Sequence, residues 1–249
     1  MKLRILTYNI HRAIGVDRRF RPERIVEIIG NYNADIVLLQ EVDEGAPRSR
    51  ELDLARELAT QAGYPYHAVG HNVTLSKGRY GNATLSRFPI LSERNIDLTI
   101  DRWKRRGCQH TAIQIGAAHA PRLDVFNLHL GLSARERERQ IELLARSGEL
   151  ADLDFDAPCL IGGDFNDWRS LLVDRLTMGL TFKTATDSAM AGGKPLLTFP
   201  SFYPQGPLDR IYYRGPLHLH AAQRCRLKLS RVASDHLPIV ADFEVRGKA

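Results

Sequence analysis

The stretch Cys159-Leu160-Ile161-Gly162-Gly163-Asp164-Phe165-Asn166-Asp167-Trp168 decides the reading of the chain: an apolar run stops at two glycines and hands over to an aspartate and an asparagine. Pro158 and Gly162 bound Leu160-Ile161 too tightly for a helix, so the run reads as a buried strand with a polar tip. Gly162 and Gly163 permit close backbone approach, which presents Asp164 and Asn166 at the rim of a sheet. An Asx-rich turn after a strand would use the same residues. Other strands in the chain end the same way, and that repetition favours a site over a turn.

Towards the N-terminus, Leu3 to Asn9 alternates like a strand, not like a secretion leader, and ends in Asn9-Ile10-His11. Pro22 opens a helix with apolar positions at Ile25, Ile28 and Ile29. The nearly unbroken apolar run Asp35 to Glu41 is a strand covered on both faces, terminating in Glu41. A helix from Glu51 to Ala62 stops at Gly63. Strands around His67–Val69, Asn82–Ser86, Ile90–Leu98 and Cys108–Ile115 suggest an antiparallel meander with Phe88-Pro89 at a turn. Leu123 to His129 alternates again and ends in a histidine. Ser133 and Glu136 then form a capping box, and the Arg/Glu pattern of the helix that follows reads as a solvated face.

Beyond the central stretch, Leu171–Leu176 suggests a short helix, and residues 184–207 read as a long structured loop in which Phe199, Phe202 and Tyr203 either contact substrate or pack. Leu208–Tyr213 and Leu217–Leu229 are further strands. Ser234-Asp235-His236 precedes the last one.

A chain of 249 residues can bury a large core, and with no interdomain linker we expect a single domain over residues 1–249. No apolar run approaches a membrane span. Three widely spaced cysteines, Cys108, Cys159 and Cys225, match neither a disulfide framework nor a zinc site, so a cytoplasmic location is expected. The net charge of +6 suits an anionic partner, or simply a solvated basic surface. Arg12, Arg18, Arg19, Arg48, Arg50, Lys77, Arg79 and Arg105 fall in loops that would flank the strand ends.

The polar strand ends are Asn9, Glu41, His129, Asp164, Asn166, Asp209, Asp235 and His236. Carboxylates and carboxamides without cysteine make an oxygen-rich site suited to Mg²⁺ or Mn²⁺, and histidines beside them can carry protons or donate to phosphate.

The ordered segments Thr7-Tyr8-Asn9-Ile10-His11, Leu39-Gln40-Glu41-Val42, Gly81-Asn82-Ala83, Asn127-Leu128-His129-Leu130, Gly163-Asp164-Phe165-Asn166, Leu208-Asp209-Arg210-Ile211 and Ser234-Asp235-His236 resemble the motifs of the endonuclease/exonuclease/phosphatase superfamily. The resemblance implies a four-layer α/β sandwich, two packed and mostly antiparallel β-sheets flanked by helices, with the site where the sheet ends meet. It implies that Glu41 is the principal Mg²⁺ ligand with Asn9 and Asp235 beside it. Asp164 would deprotonate the attacking water, and Asn166 would hold that water or a phosphate oxygen. His236, oriented by Asp209, would bond the phosphoryl group, and His129 would contact another phosphate oxygen or assist the leaving oxygen.

The Asn9 and His129 segments depart from the apurinic-site endonucleases; His129 resembles the pattern of sphingomyelinases, pancreatic-type deoxyribonuclease and related phosphodiesterases, and Gly163-Asp164-Phe165-Asn166-Asp167-Trp168-Arg169 with His129-Leu130-Gly131-Leu132 resembles a compact bacterial subgroup. Asn82 stands where some relatives carry an acid that supports a histidine. It joins Arg48 and Arg50 as an expected substrate contact. The expected function is a Mg²⁺-dependent phosphodiesterase acting on a phosphate ester, with a nuclease as first rival and an inactive phosphate-binding protein as the rival from another class. The residues fix no oligomeric state.

Overall fold

The computed structural model describes residues 1–102, 104–116, 122–187 and 193–245. Among the described residues, twelve strands form two six-stranded sheets. The first carries β1 (Lys2–Asn9), β2 (Ile36–Glu44), β3 (Tyr66–Thr74), β4 (Arg79–Ser86), β11 (Leu217–Arg224) and β12 (Ile239–Val245), in the order β11-β12-β1-β2-β4-β3. The second carries β5 (Ile90–Asp97), β6 (Gly107–Gln114), β7 (Arg122–His129), β8 (Cys159–Asp164), β9 (Lys183–Thr184) and β10 (Asp209–Arg214), in the order β5-β6-β7-β8-β10-β9. The helices are α1 (Pro22–Tyr32), α2 (Leu54–Ala62), α3 (Ala134–Arg146), and the single turns α4 (Gly148–Ala151) and α5 (Ser230–Ala233).

Strand periodicity explains the layering. In β1, Leu3 and Ile5 face one way and join Ile36, Leu38, Val125, Leu160 and Ile211 in a core between the sheets. Leu6 and Tyr8 face the other way and pack with Ile25, Ile28 and Leu58 of α1 and α2. On the second sheet, Phe126, Leu128, Ile161 and Tyr212 take Ile141 and Leu144 of α3 and Leu150 of α4. Helices, sheet, sheet and helices are therefore the four layers expected from the motif resemblance. Among the described residues no helix is long and apolar enough to cross a membrane, and Cys108, Cys159 and Cys225 are free and buried.

Pairing is antiparallel except at the centre of each sheet. There β1 runs parallel to β2 and β7 parallel to β8, each pair joined through helices. Parallel neighbours end at the same edge, so Asn9 comes beside Gln40 and His129 beside Asp164. Asp209 opens β10 directly opposite Asp164.

Several expectations change. The meander is split: β3 and β4 belong to one sheet and β5 to β7 to the other, because the turn at Arg87–Pro89 crosses between layers. Glu41 does not end its strand. It sits in a bulge with φ of +57°, after which pairing with β4 resumes at Val42 and Gly81. The second helix starts at Leu54, where the Asp53 side chain caps the Arg56 N–H. The short helix expected at Leu171–Leu176 is shifted towards the C-terminus: Asp167 takes the Leu172 N–H, and the helical winding begins at residue 173 and widens into a π-helix over Arg175–Gly179. Strand β11 stops at Arg224, and α5 follows. Residues 188–192 of the long loop lie outside the described residues.

Candidate active site

At the common edge of the two sheets a cavity of about 540 Å³ is lined by Asn9, Glu41, His129, Asp164, Asn166, Asp235 and His236, together with Lys104, Arg106, Leu132, Glu136, Trp168 and Phe199. Buried amides stitch the sheets beneath it. Gln40 Nε2 donates to Asn127 Oδ1 at 2.7 Å, while Asn127 Nδ2 donates to the Leu39 and Ala83 carbonyls. These cross-layer bonds fix the height of one rim against the other.

Asp164 is the hub. Its Oδ2 accepts from Asn9 Nδ2 at 3.0 Å and lies 3.4 Å from His129 Nε2 and 3.7 Å from His236 Nε2. Its Oδ1 accepts the Asn166 N–H at 2.9 Å. Asn166 reaches that position with φ of +50° and anchors its own amide on the Leu130 carbonyl. His236 Nδ1 donates to Asp209 Oδ2 at 2.8 Å, and the Ser234 hydroxyl ties the segment to the Asn9 carbonyl at 2.7 Å. Asp209 stands behind the histidine and is fully buried.

Burial pushes the Asp164 carboxyl up to about 6, the neighbouring His236 charge opposing and Asp209 reinforcing the rise. For His236 burial acts downward, but the Asp209 and Asp164 carboxylates more than reverse it and lift the imidazole to about 10. His129 goes the other way: burial first, then the charges of Arg106 and His236, hold it well below the usual imidazole range. One pocket thus holds a carboxylate of raised basicity, a charged imidazole and a neutral one.

Two groups of acids could serve a cation. Asp164, Asp209 and His236 place ligand atoms within 4.8 Å of one another. As arranged, both nitrogens of that imidazole face carboxylates, which makes the trio an ion-paired relay. Glu41 and Asp235 instead present partly exposed carboxylates, with side chains 16% and 35% accessible. The Asn9 carboxamide lines the same wall. An oxygen-only set open to water fits a hard, partly hydrated divalent cation. The left-handed backbone at Glu41 aims that carboxylate inward, where Arg12 Nε approaches it to 3.4 Å.

Three expected substrate contacts stand elsewhere. Arg48 forks onto the buried Asp43 carboxylate at 2.7 and 2.8 Å and covers the Tyr80 ring. Arg50 covers Phe20. Asn82 spends its amide on the Gly107 and Asn127 carbonyls and is buried. None of the three lines the cavity.

Other residues enter for which the sequence pattern suggests a solvated face or no role. Arg106 is only 6% exposed, with its Nε lacking a protein partner. Glu136 and Arg137 are buried, contrary to the solvated face expected of α3. The Ser133 hydroxyl caps the Glu136 N–H, but the Glu136 carboxylate turns inward to Gln140, over Gly131, where a Cβ would stand 2.0 Å from it. Phe199 packs between Trp168 and His236, at centroid distances of 5.7 and 5.0 Å, while Phe202 and Tyr203 are exposed outside the cavity. The arginine in a basic run and the glycine beside a cap were the available signals.

Comparison with known proteins gives concordant matches. The family model described as "Endonuclease/Exonuclease/phosphatase family" matches residues 6–236. The Escherichia coli K12 protein YbhP is 32% identical over 253 residues, covering 97% of this chain and 96% of its own. Among solved structures, an endonuclease/exonuclease/phosphatase from Beutenbergia cavernae superposes with a TM-score of 0.78 at 20% identity, over 99% of this chain and 72% of that one. ANGEL2, a 2′,3′-cyclic phosphatase, superposes with a TM-score of 0.75 at 18% identity, over 98% and 95%.

Proposed function

The chain belongs to the endonuclease/exonuclease/phosphatase family, and from that membership we propose that it is a divalent-metal-dependent phosphoesterase, acting on a diester in preference to a monoester. The observation that carries this reading is the Asp164 carboxylate, gripped by Asn9 and Asn166 and flanked by His129 and His236. Phosphoester hydrolysis needs a base for water, donors for the equatorial oxygens and help for the leaving oxygen.

Each requirement has a residue. Asp164, with its raised proton affinity, accepts a proton from water as the water's oxygen attacks phosphorus. Asn166 keeps the carboxylate and the water in register. His236, held charged by Asp209, donates to a phosphoryl oxygen. Neutral His129 donates to a second oxygen or to the departing one, and the buried Arg106 supplies fixed positive charge beside it. Glu41, Asn9 and Asp235 would hold Mg²⁺ or Mn²⁺, which when bound neutralises phosphate charge and stabilises the leaving oxygen. Trp168, Phe199 and Leu132 give the cavity an apolar wall, which suits an organic substituent on the phosphate. The buried free cysteines accord with a reducing, cytoplasmic setting.

The test is a substrate panel with Mg²⁺ or Mn²⁺: bis-nitrophenyl phosphate, nitrophenyl phosphate, plasmid DNA, RNA and phospholipids, with Asp164→Asn as the blank. Metal-dependent turnover of a diester, lost in the blank, is expected. Turnover of DNA or RNA alone would select the nuclease reading, and none on any ester would select a binding protein.

A further inference from the structure

We propose that a second cavity, behind the segment that carries Phe199, is an anion site for a phosphorylated ligand. It encloses about 650 Å³ and lies between β11, α5 and residues 194–204. Lys194, Arg224, Arg226 and Arg231 line it, and no aspartate or glutamate does. Among the described residues none of these four cations has a carboxylate within ion-pair distance. Several basic-loop residues elsewhere are neutralised, Arg48 by Asp43, Lys77 by Glu51 and Arg79 by Glu44. Positive charge left uncompensated around a concave surface is the electrostatic mark of an anion site. Arginine forks match phosphate oxygens, and Pro195, Leu196 and Leu237 offer an apolar wall to an organic portion.

The site does not depend on the phosphoesterase reading, since it would hold phosphate even if the first cavity did no chemistry. It does share a wall with that cavity. Arg224 Nη1 donates to the Leu197 carbonyl at 2.9 Å, Leu237 N–H to Thr198 O at 2.9 Å, and Ser201 N–H to Asp235 O at 2.7 Å. A ligand against Leu197 and Leu237 therefore abuts the segment whose Phe199 ring rests on His236. The phosphate has two sources by this geometry: a distal phosphate of an extended substrate, or a separate phosphorylated compound felt through Phe199.

The experiment is calorimetric titration of the full chain with sodium pyrophosphate in the presence of EDTA. Arg226 and Arg231 are exposed, so the double variant R226A/R231A keeps its fold; R94A/R146A removes the same charge from other exposed positions. Saturable binding is expected, weakened about tenfold or more in R226A/R231A, because charge-assisted bonds are lost, and within about twofold of wild type in R94A/R146A. No saturable binding, no loss in R226A/R231A, or equal loss in both variants overturns the site. On an Asp164→Asn background, an oligonucleotide weakened by R226A/R231A when a dinucleotide is not identifies the extended-substrate source. Pyrophosphate that alters dinucleotide affinity without displacing it identifies the separate compound.

Discussion

Replacing Gly163 by alanine tests how the two central strands of the second sheet bring the site together. Gly163 has φ of +141°, a region closed to side chains, and an added Cβ would stand 2.0 Å from the Leu128 carbonyl oxygen and 2.9 Å from its carbon. Both obstacles are backbone of β7, so no rotamer change relieves them. Forcing the dihedral costs about 1–3 kcal/mol. Separating strands packed this closely costs about 1–3 kcal/mol more. The expected destabilisation is about 4 kcal/mol, a large share of the roughly 5–15 kcal/mol of a typical domain. The assay is urea unfolding followed by far-ultraviolet circular dichroism, with Gly30→Ala as control. Gly30 lies in α1, where a Cβ meets nothing within 4 Å, and alanine there should stabilise by about 0.5–1 kcal/mol. A loss below about 1 kcal/mol in Gly163→Ala, with an unchanged denaturant slope, would refute the claim that glycine is what lets β7 and β8 meet.

Glu41→Gln should weaken Mg²⁺ binding and nearly abolish turnover while the melting temperature stays near wild type, as the side chain is partly exposed; calorimetry with Mg²⁺ and a thermal melt check this. Asp164→Asn should lower kcat by about two orders of magnitude or more with little change in KM, read in single-turnover assays on the best substrate. Asp209→Asn should pull the alkaline limb of kcat/KM down by about one to three pH units, since removing an adjacent carboxylate lowers the imidazole. The sign also holds for stability. The His236 value is raised from 6.5 to about 10, so its contribution is full below 6.5 and is lost as pH rises through 10, and the variant should lose less over that range. Arg106→Gln should raise KM more than it lowers kcat and raise the apparent imidazole pKa of His129, followed by NMR titration.

The strand ends were legible because an apolar run that halts at a polar residue is a local signal, and parallel pairing carries such ends to one edge. Asn9, His129 and Asp164 owe their neighbourhood to that register. Features set by partners far along the chain were not legible. The bulge at Glu41 exists only against Gly81 of β4, so the sequence suggests a strand end where the strand continues. Nothing near Arg48 in the sequence marks its fork onto the Asp43 carboxylate, and nothing near Asn82 marks the two distant carbonyls that take its amide. In α3 the alternation of charges masks Glu136 and Arg137, whose burial depends on the missing Cβ of Gly131 and on Asp167 from another loop.

The basic composition takes on a different meaning once the pairs are known. Of the loop cations expected to form a rim, Arg12 faces Glu41, and Arg48, Lys77 and Arg79 are paired with acids, so much of the surface charge is internally balanced. The positive charge at the first cavity comes from Lys104, Arg106 and the charged His236, and the sequence around Arg106 does not distinguish it from its basic neighbours. A polyanion gains affinity from many phosphates, each releasing counterions to an unpaired cation along its track. A rim with half of these cations paired, around the buried Arg106 and His236, rewards charge at one point more than along a track, and the apolar wall of Trp168, Phe199 and Leu132 rewards an organic substituent next to it. The same composition that suggests nucleic acid therefore supports, in this arrangement, a bounded phosphoester in the first cavity.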